Sequence, residues 1–203
     1  VLFITYDGLL EPLGYSQILS YLTILSKKNK IFIISIEKQS DLNNRKYFNK
    51  IDNLVKKNKI SWKYLTYKKG ISKYLLFINL LINIFILSKK NNFDILHARS
   101  YVAGLITYFL KFFFNFIFIF DIRGFWIEER VDWGLWRRFS FKYIIFKLFE
   151  KKIFNQSNVI ITLTNDAKKI IENRYLKKNY SNKVQVIPTC TSIIDNLNKN
   201  KNL

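Results

Sequence analysis

The sequence has few of the residues that build disulfides, clustered metal sites and tight turns. It contains one cysteine (Cys190), one histidine (His97), two prolines and six glycines in 203 residues. A lone cysteine excludes an intrachain disulfide and a cysteine-rich metal site, and a lone histidine excludes a histidine cluster. No basic segment with an apolar run after it precedes the first predicted strand, so we expect no signal peptide.

Acidic residues are also scarce. The chain has 14 Asp and Glu against 34 Lys and Arg, which gives a formal net charge of +20. Such a charge favours an anionic partner, which would be a nucleic acid, an anionic membrane surface or a phosphorylated ligand. The abundance of Lys, Asn, Ile and Phe is equally well explained by nucleotide bias in the source genome. No zinc-finger or RNP motif is present, and we expect no nucleic-acid partner.

Apolar runs and helical patterns alternate along the chain. Hydrophobic residues make up 49% of the sequence, which excludes a disordered chain and allows one substantial core. Short apolar runs predict strands at 1–5, 31–36, 60–64, 94–97, 116–120, 159–162 and 184–188. Helical spacing predicts helices between them. The order predicts an α/β fold, a doubly wound and mostly parallel Rossmann-like sheet of about seven strands.

Four local features carry specific expectations. Ser16 is a plausible N-cap for the first helix. The long apolar run 71–88 contains two asparagines four residues apart, and we expect a helix that is buried or lies on the surface rather than a membrane span. Residues 124–134 are expected to form a loop, and residues 136–155 a basic, aromatic helix.

Polar and glycine residues follow several of the predicted strands. Asp7 and Gly8 follow the first strand, His97 and Arg99 the fourth, and Asp121 ends the fifth. In parallel α/β sheets the ligand binds beyond the carboxyl ends of the strands, so we expect these residues on one rim. Glycines in the first loop can bring backbone N–H groups close to a phosphate, although they can equally serve a tight turn.

The residues on this rim suit sugar and phosphate chemistry. His97 can bind a sugar hydroxyl or act as an acid–base group, and Asp121 can bind hydroxyls or act as a base. Arg99 and Arg123 can clamp a phosphate in a bidentate manner. Structural alternatives stay open. His97 can cap a neighbouring helix, Asp121 can be an ordinary cap at a strand end, and each arginine can pair with a carboxylate such as Glu128 or Asp132.

The segment 124–134 is dense in aromatic and charged residues. Aromatic faces stack on sugar rings and carboxylates accept hydrogen bonds from sugar hydroxyls, so this segment suits a carbohydrate acceptor. The alternative is a loop packed on its own aromatics. The basic helix predicted at 136–155 suits the headgroup region of an anionic bilayer, with a solvated helix as its alternative.

The sequence resembles the N-terminal half of family 4 glycosyltransferases, which have the GT-B fold. The resemblance rests on motifs spread over essentially the whole chain. They are YDGLLEPLGYSQ at 6–17, HARS at 97–100, DIRGFW at 121–126 with ERVD at 129–132, and VIPTC at 186–190.

The resemblance implies an enzyme that transfers a hexose-type sugar from a nucleotide sugar to a glycan or lipid-linked acceptor, with retained configuration and without a metal or other cofactor. It implies that His97 and Asp121 are catalytic and that Gly8 and Gly14 bind the donor phosphates. The acceptor side would comprise Asp7, Arg99, Arg123, Gly124, Trp126, Glu128, Glu129 and Asp132.

The resemblance also sets the expected domain organisation and location. Residues 1–190 would form the acceptor-side domain, and 191–203 a linker or tail toward a donor-binding domain that this sequence lacks. The chain alone would then be incomplete for catalysis. We expect a cytoplasmic protein that can lie on the inner face of the cell membrane, and the alternative function is a non-catalytic, basic membrane-peripheral binding module.

Overall fold

A computed structural model describes residues 1–70, 72–176 and 182–189. Seven strands form one sheet. They are β1 (Leu2–Thr5), β2 (Phe32–Glu37), β3 (Ser61–Thr66), β4 (Ile95–Arg99), β5 (Ile117–Asp121), β6 (Val159–Thr162) and β7 (Val184–Val186). All neighbouring strands are parallel and lie in the order β3-β2-β1-β4-β5-β6-β7. The predicted α/β, Rossmann-like fold of seven strands is confirmed.

Helices connect the strands. They are α1 (Pro12–Gly14), a π-helical turn (Tyr15–Leu19), α2 (Ser20–Leu25), α3 (Gln39–Asn43), α4 (Arg45–Lys57), α5 (Ser72–Asn91), α6 (Ser100–Leu110), α7 (Trp126–Asp132), α8 (Phe141–Gln156) and α9 (Asn165–Tyr175). The sheet has a buried cluster on each face. One contains residues of α2 and α4, and the other residues of α5, α6, α8 and α9. Both faces of the sheet are covered at the central strands β1 and β4, so their side chains are buried, including His97 and Arg99 near the end of β4.

Several element boundaries differ from the prediction. Ser16 is not an N-cap, because the helical segment already begins at Pro12 and the Ser16 hydroxyl donates to the Pro12 carbonyl at 3.0 Å. Proline suits the first helical position because its missing N–H has no partner there anyway. The polar stretch after β2, which carried no predicted element, contains the short helix α3.

The segment 124–140 also differs from the prediction. Residues Trp126–Asp132, expected in a loop, form α7. The helix predicted at 136–155 begins only at Phe141, where Ser140 caps it by accepting a hydrogen bond from the Tyr143 N–H. Residue Phe139 has φ 65°, which no α-helix accommodates, so residues before Ser140 cannot continue the helix.

The long apolar helix α5 is the crossover from β3 to β4. Leu76, Leu80 and Ile84 face the core, while Ile78 and Ile82 are about half exposed. Within the described residues, α5 alone contains a window, Tyr74–Asn91, long and apolar enough to cross a membrane by length and composition. Its packing on the sheet agrees with the predicted surface-lying helix. The predicted tail 191–203 and Cys190 lie outside the described residues.

Candidate functional site

The carboxyl ends of the central strands bring the predicted rim residues together. Arg99 on β4 lies opposite Thr5 on β1 and opposite Asp121 on β5 in the register of the sheet. His97 precedes Arg99 by two residues and therefore points to the same face of the sheet. The predicted grouping of these side chains is thus a consequence of parallel pairing.

Two arginines hold one buried carboxylate between them. Asp121 Oδ2 lies 3.5 Å from Arg99 Nη1, and Asp121 Oδ1 lies 3.5 Å from Arg123 Nη1. Arg99 Nε also donates to Asp7 Oδ2 at 3.3 Å. Each arginine therefore pairs with an aspartate of the rim rather than with Glu128 or Asp132, the partners considered from the sequence.

Gln17 joins the two arginines from the opposite side. Its Oε1 accepts from Arg99 Nη2 at 2.7 Å and from Arg123 Nη2 at 2.9 Å. Arg123 Nη2 also donates to the Thr189 hydroxyl at 2.8 Å. These hydrogen bonds join four parts of the chain. They are the helical segment after β1, the end of β4, the residues after β5 and the end of the described chain.

His97 lies beneath these ion pairs. Its ring packs edge-on against Phe3, with ring centroids 4.7 Å apart, and its Nε2 lies 4.0 Å from Asp121 Oδ2. Burial and the nearby Arg99 charge lower the pKa of His97 to about 3. The imidazole is therefore neutral at physiological pH, and one ring nitrogen can accept a proton or hydrogen bond while the other donates.

Buried polar atoms in this cluster are left without hydrogen bonds. They are His97 Nε2, Arg99 Nη1, Asp121 Oδ1 and the hydroxyl of Tyr21, none of which has a hydrogen-bond partner within the described residues. Burial also raises the pKa of Asp121, against the charges of Arg123 and Arg99. Four of the eight buried side-chain atoms that lack a hydrogen bond in the described residues lie in this cluster. Unsatisfied buried polar groups are costly, and a ligand at this rim would supply partners for them.

A buried glutamate shapes the loop after β1. Glu37 at the end of β2 accepts from the Leu9 N–H at 2.8 Å and from the Leu10 N–H at 3.1 Å. A Cβ on Gly8 would lie 2.5 Å from Glu37 Oε2, and one on Gly14 would lie 2.6 Å from Leu9 Cα. Both glycines are thus required by close packing, and their contact with donor phosphates stays a prediction.

A cavity of about 530 Å³ opens beside the cluster. It lies between the segment after β5 and the start of α9, and the predicted acceptor residues Arg123, Gly124, Glu128, Glu129 and Asp132 line it. Asp166 contributes a further carboxylate, so four of the 14 acidic residues of this basic chain meet at one cavity. Phe125 and Tyr175 supply aromatic surface.

Trp126, also predicted on the acceptor side, does not line this cavity. Its ring packs against Trp136, Phe146 and Tyr101, with centroids 5.2, 5.7 and 6.1 Å away. The sequence alternative, aromatics that pack on one another, therefore describes the surroundings of Trp126 better than an exposed stacking platform.

A second polar network lies behind the cavity wall. The buried Glu150 accepts from the hydroxyls of Tyr101 and Tyr175 and from Lys147 Nζ, each at 2.6 Å. Lys147 Nζ also contacts Glu128 Oε1 at 2.8 Å. Burial opposes protonation of Lys147, but its hydrogen bonds to the two glutamates raise its pKa above the ordinary value. The network fixes α6, α7, α8 and α9 to one another.

Sequence reasoning missed three residues of the site, Gln17, Tyr21 and Glu37. Gln17 and Tyr21 lie on the helical segment after β1, where only the apolar spacing drew attention. Glu37 ends β2, and the strand-end rule that selected Asp121 would have selected it too. In the part of the chain that the structure describes, no three His, Cys, Asp or Glu side chains are placed to hold a metal ion.

Comparison with solved structures identifies similar folds. A glycosyltransferase from Rickettsia africae ESF-5 is 17% identical, with a TM-score of 0.52 over 92% of this chain and 42% of that chain. A sucrose-phosphate synthase from Thermosynechococcus elongatus is 11% identical, with a TM-score of 0.58 over 92% of this chain and 47% of that chain. The fold is glycosyltransferase-like.

Other comparisons limit what this likeness shows. A protein assigned as a UDP-N-acetylglucosamine 2-epimerase from Listeria monocytogenes is 11% identical, with a TM-score of 0.55 over 91% of this chain and 44% of that chain. The glycosyltransferase-like fold is thus shared with a protein named for a different reaction. The chain spans less than half the length of these proteins. A scan against family models and a search of curated proteins gave no match.

Proposed function

We propose that the chain is the acceptor-side domain of a family 4 glycosyltransferase of the GT-B fold. The whole enzyme transfers a sugar from a nucleotide sugar to a glycan or lipid-linked acceptor, with retained configuration, and a donor-binding half beyond this sequence completes it. One observation carries the proposal. A buried cluster of incompletely hydrogen-bonded His97, Arg99 and Asp121 lies at the carboxyl rim of a glycosyltransferase-like sheet.

The charge balance of the cluster favours a neutral, hydroxyl-bearing ligand. Arg99 and Arg123 are already neutralised by Asp7 and Asp121 and bridged by Gln17. A phosphate would have to displace these pairs. A sugar hydroxyl can instead donate to Asp121 and exchange a hydrogen bond with the neutral His97. We therefore assign these two residues to the transferred sugar and the attacking hydroxyl. The role of Gly8 and Gly14 at the donor phosphates follows from the family resemblance alone, because the neighbouring Leu9 and Leu10 N–H groups already bind Glu37.

The neighbouring cavity is proposed to hold the acceptor. Carboxylates of Glu129, Asp132 and Asp166 can accept hydrogen bonds from sugar hydroxyls, and Tyr175 and Phe125 offer apolar faces. Four carboxylates line the cavity against two arginines, Arg123 and Arg174, and this excess of negative charge favours a neutral or amine-bearing acceptor sugar over a uronate or a phosphosugar. In the transfer step the acceptor oxygen bonds to the anomeric carbon as the bond to the donor phosphate breaks, the nucleoside diphosphate departs, and the hydroxyl proton passes to the departing phosphate oxygen.

The proposal is tested by glycan binding to the 203-residue chain. Saturation-transfer NMR with neutral, amino and anionic saccharides is compared for wild type, His97→Ala and Asp121→Asn. The matched control is Asp94→Asn. Asp94 is an exposed aspartate just before β4, at the amino ends of the strands and so opposite the site. We expect both site variants to lose about tenfold or more in affinity, since each removes a buried hydrogen-bonding group, while the control binds as wild type does.

A transfer assay addresses the chemistry directly. The chain is joined to the donor-binding half of a glycosyltransferase, and sugar transfer is measured with the same variants. Unchanged rates for His97→Ala and Asp121→Asn would show that the site is wrongly assigned. Failure of the wild-type chain to bind any saccharide would contradict the proposed function itself.

A further inference from the structure

An exposed aromatic segment follows the cavity wall. We define the aromatic loop as residues 133–141, between α7 and the first residue of α8. Four of its large apolar side chains face solvent. Trp133 is 66% exposed, Leu135 58%, Phe139 76% and Phe141 81%. Large apolar groups exposed together in this way mark a surface that contacts another phase or molecule.

Hydrogen bonds hold the backbone of this loop in place although its side chains are exposed. The N–H groups of Leu135 and Trp136 both donate to the Arg130 carbonyl at 3.0 Å, and the Ser140 N–H donates to the Arg137 carbonyl at 3.1 Å. Phe139 adopts φ 65°, a left-handed conformation that is unfavourable for an L-residue. The fold thus accepts strain at a residue whose ring is largely exposed and has an edge-on contact with Tyr143.

Basic residues outnumber carboxylates around the loop, although three carboxylates of α7 (Glu128, Glu129 and Asp132) precede it and line the cavity. Residues 133–152 contain six Lys and Arg and a single carboxylate, Glu150, which is buried in the network described above. Arg137, Lys142, Lys151 and Lys152 are exposed. Aromatic side chains surrounded by cations are the combination that binds the headgroup region of an anionic bilayer, where the rings enter the interface and the cations pair with lipid phosphates.

We propose that the aromatic loop seats the protein on an anionic lipid bilayer. Phe139 and Phe141 enter the interface, and Arg137 and Lys142 contact the lipid headgroups. The loop directly follows residues 122–132, which form one wall of the cavity, so seating places the cavity beside the bilayer surface. The exposure and charge of the aromatic loop support membrane seating by themselves. The consequence for the acceptor, which would be lipid-linked, rests on the proposed function.

The chain offers a matched control on another helix. The exposed face of α5 carries Leu75, Ile78, Ile82 and Ile86, which are 65, 53, 49 and 58% exposed. No charged residue lies between positions 74 and 88. Variants on this face therefore remove a similar apolar area without touching the aromatic loop.

The test is co-sedimentation of the 203-residue chain with vesicles. Vesicles of phosphatidylglycerol with phosphatidylcholine are compared with vesicles of phosphatidylcholine alone, at low and high salt. We expect binding to the anionic vesicles that salt weakens, and a fall in affinity of about tenfold or more for the double variant Phe139→Ser with Phe141→Ser. Arg137→Gln with Lys142→Gln should weaken binding to anionic vesicles and abolish much of its salt dependence. Ile78→Ser with Ile82→Ser should bind as wild type does.

Fluorescence locates the contact. Vesicles with brominated lipid should quench Trp133, and the quenched signal should disappear in Trp133→Phe. The proposal is overturned by equal binding to both vesicle types, by unchanged binding of the Phe139 and Phe141 variant, or by loss of binding in the α5 variant. It is also overturned by a solution dimer that the aromatic-loop variant dissociates. Saccharide binding is measured separately, so failure of seating and failure of the glycosyltransferase assignment are distinguishable.

Discussion

Two buried ionic clusters in the described part of the chain, around Glu150 and around Asp121, differ in how completely they are hydrogen-bonded. Around Glu150, both carboxylate oxygens and the Lys147 ammonium group have partners at 2.6 to 2.8 Å. Around Asp121, the ion pairs are 3.5 Å long, and polar atoms of Asp121, Arg99 and His97 have no hydrogen bond within the described part of the chain.

The difference supports the proposed division between a structural cluster around Glu150 and a binding cluster around Asp121. A buried polar network stabilises the fold only when each of its polar groups has a hydrogen-bond partner, because each unpaired group costs its full desolvation penalty. The Glu150 network meets that condition and joins four helices. The Asp121 cluster does not, and it lies at the edge of the sheet where parallel α/β proteins bind ligands. Buried charge alone does not distinguish the two clusters, whereas hydrogen bonding does.

The largest effect on stability is expected at Glu150. Glu150→Ala leaves Lys147 and two tyrosine hydroxyls without their shared partner, which for a broken buried pair costs about 3–5 kcal/mol. Urea denaturation followed by circular dichroism measures the change in the free energy of unfolding. If the free energy of unfolding fell by less than about 1 kcal/mol, the value for an exposed ion pair, the two clusters would not differ in their contribution to stability.

The second effect is a pH dependence set by His97. Its pKa is about 3 in the folded chain against 6.5 for a free imidazole, so the unfolded chain binds more protons between these values. The resulting stability is complete above pH 6.5 and is lost as the pH falls toward 3. Between pH 7 and pH 5 this amounts to about 2 kcal/mol, at a slope of up to about 1.4 kcal/mol per pH unit.

His97→Gln provides the comparison for that pH dependence. The difference in unfolding free energy between wild type and variant, measured by urea denaturation at several pH values, should shrink as the pH falls from 7 to 5. Because His97 is the sole histidine, its ring resonance in proton NMR is unambiguous. A titration midpoint near 6.5 would contradict the buried, neutral imidazole.

A smaller effect on stability is expected at Asp121. Burial raises its pKa, so the charged carboxylate is already disfavoured, and Asp121→Asn exchanges two long ion pairs for relief of that penalty. We expect the free energy of unfolding to change by no more than about 1 kcal/mol while saccharide binding is lost. Thermal unfolding and NMR binding on the same sample measure both. A severe loss of stability would place Asp121 with Glu150 as a structural residue.

The smallest effect is expected at Glu128. It accepts from Tyr143 at 3.0 Å and pairs with Lys147 and Arg138, but its side chain remains 24% exposed. Lys147 keeps Glu150 when Glu128 is replaced, so Glu128→Gln should cost about 0.5 kcal/mol, as for a partly exposed pair. Urea denaturation beside Glu150→Ala tests the ranking, and a cost equal to that of Glu150→Ala would show that the whole network acts as one unit.

The sheet could be predicted from the sequence because its strands are short apolar runs separated by polar turns. β6 was predicted with its observed bounds, and β3 was placed near the edge from the alternation in Ile60–Tyr64. The prediction for residues 124–140 was wrong because tertiary contacts, rather than the local sequence pattern, determine the secondary structure there. Trp126 and Trp136 pack on each other, and the left-handed residue Phe139 delays the helix start to Phe141.

The candidate site was predictable where the strand-end rule applied and was missed elsewhere. Asp7 follows β1, His97 and Arg99 lie in the carboxyl-terminal half of β4, and Asp121 ends β5, so parallel pairing brings them together. The bridge by Gln17 depends on the helical segment beginning at Pro12, which the Ser16 cap expectation excluded. The hydrogen bond from Tyr101 to Glu150 spans 49 positions, and nothing in the local pattern of α8 marks Glu150 as buried.

The central position of β1 governs when the site can form during synthesis. β1 is made before the other strands, yet one of its two neighbours in the sheet is β4, and the Asp7–Arg99 contact spans 92 residues. Asp121 is made later still. A nascent chain on the ribosome therefore holds β1 with one unpaired side until β4 has emerged, and in that interval it exposes the apolar strand to aggregation or to chaperones.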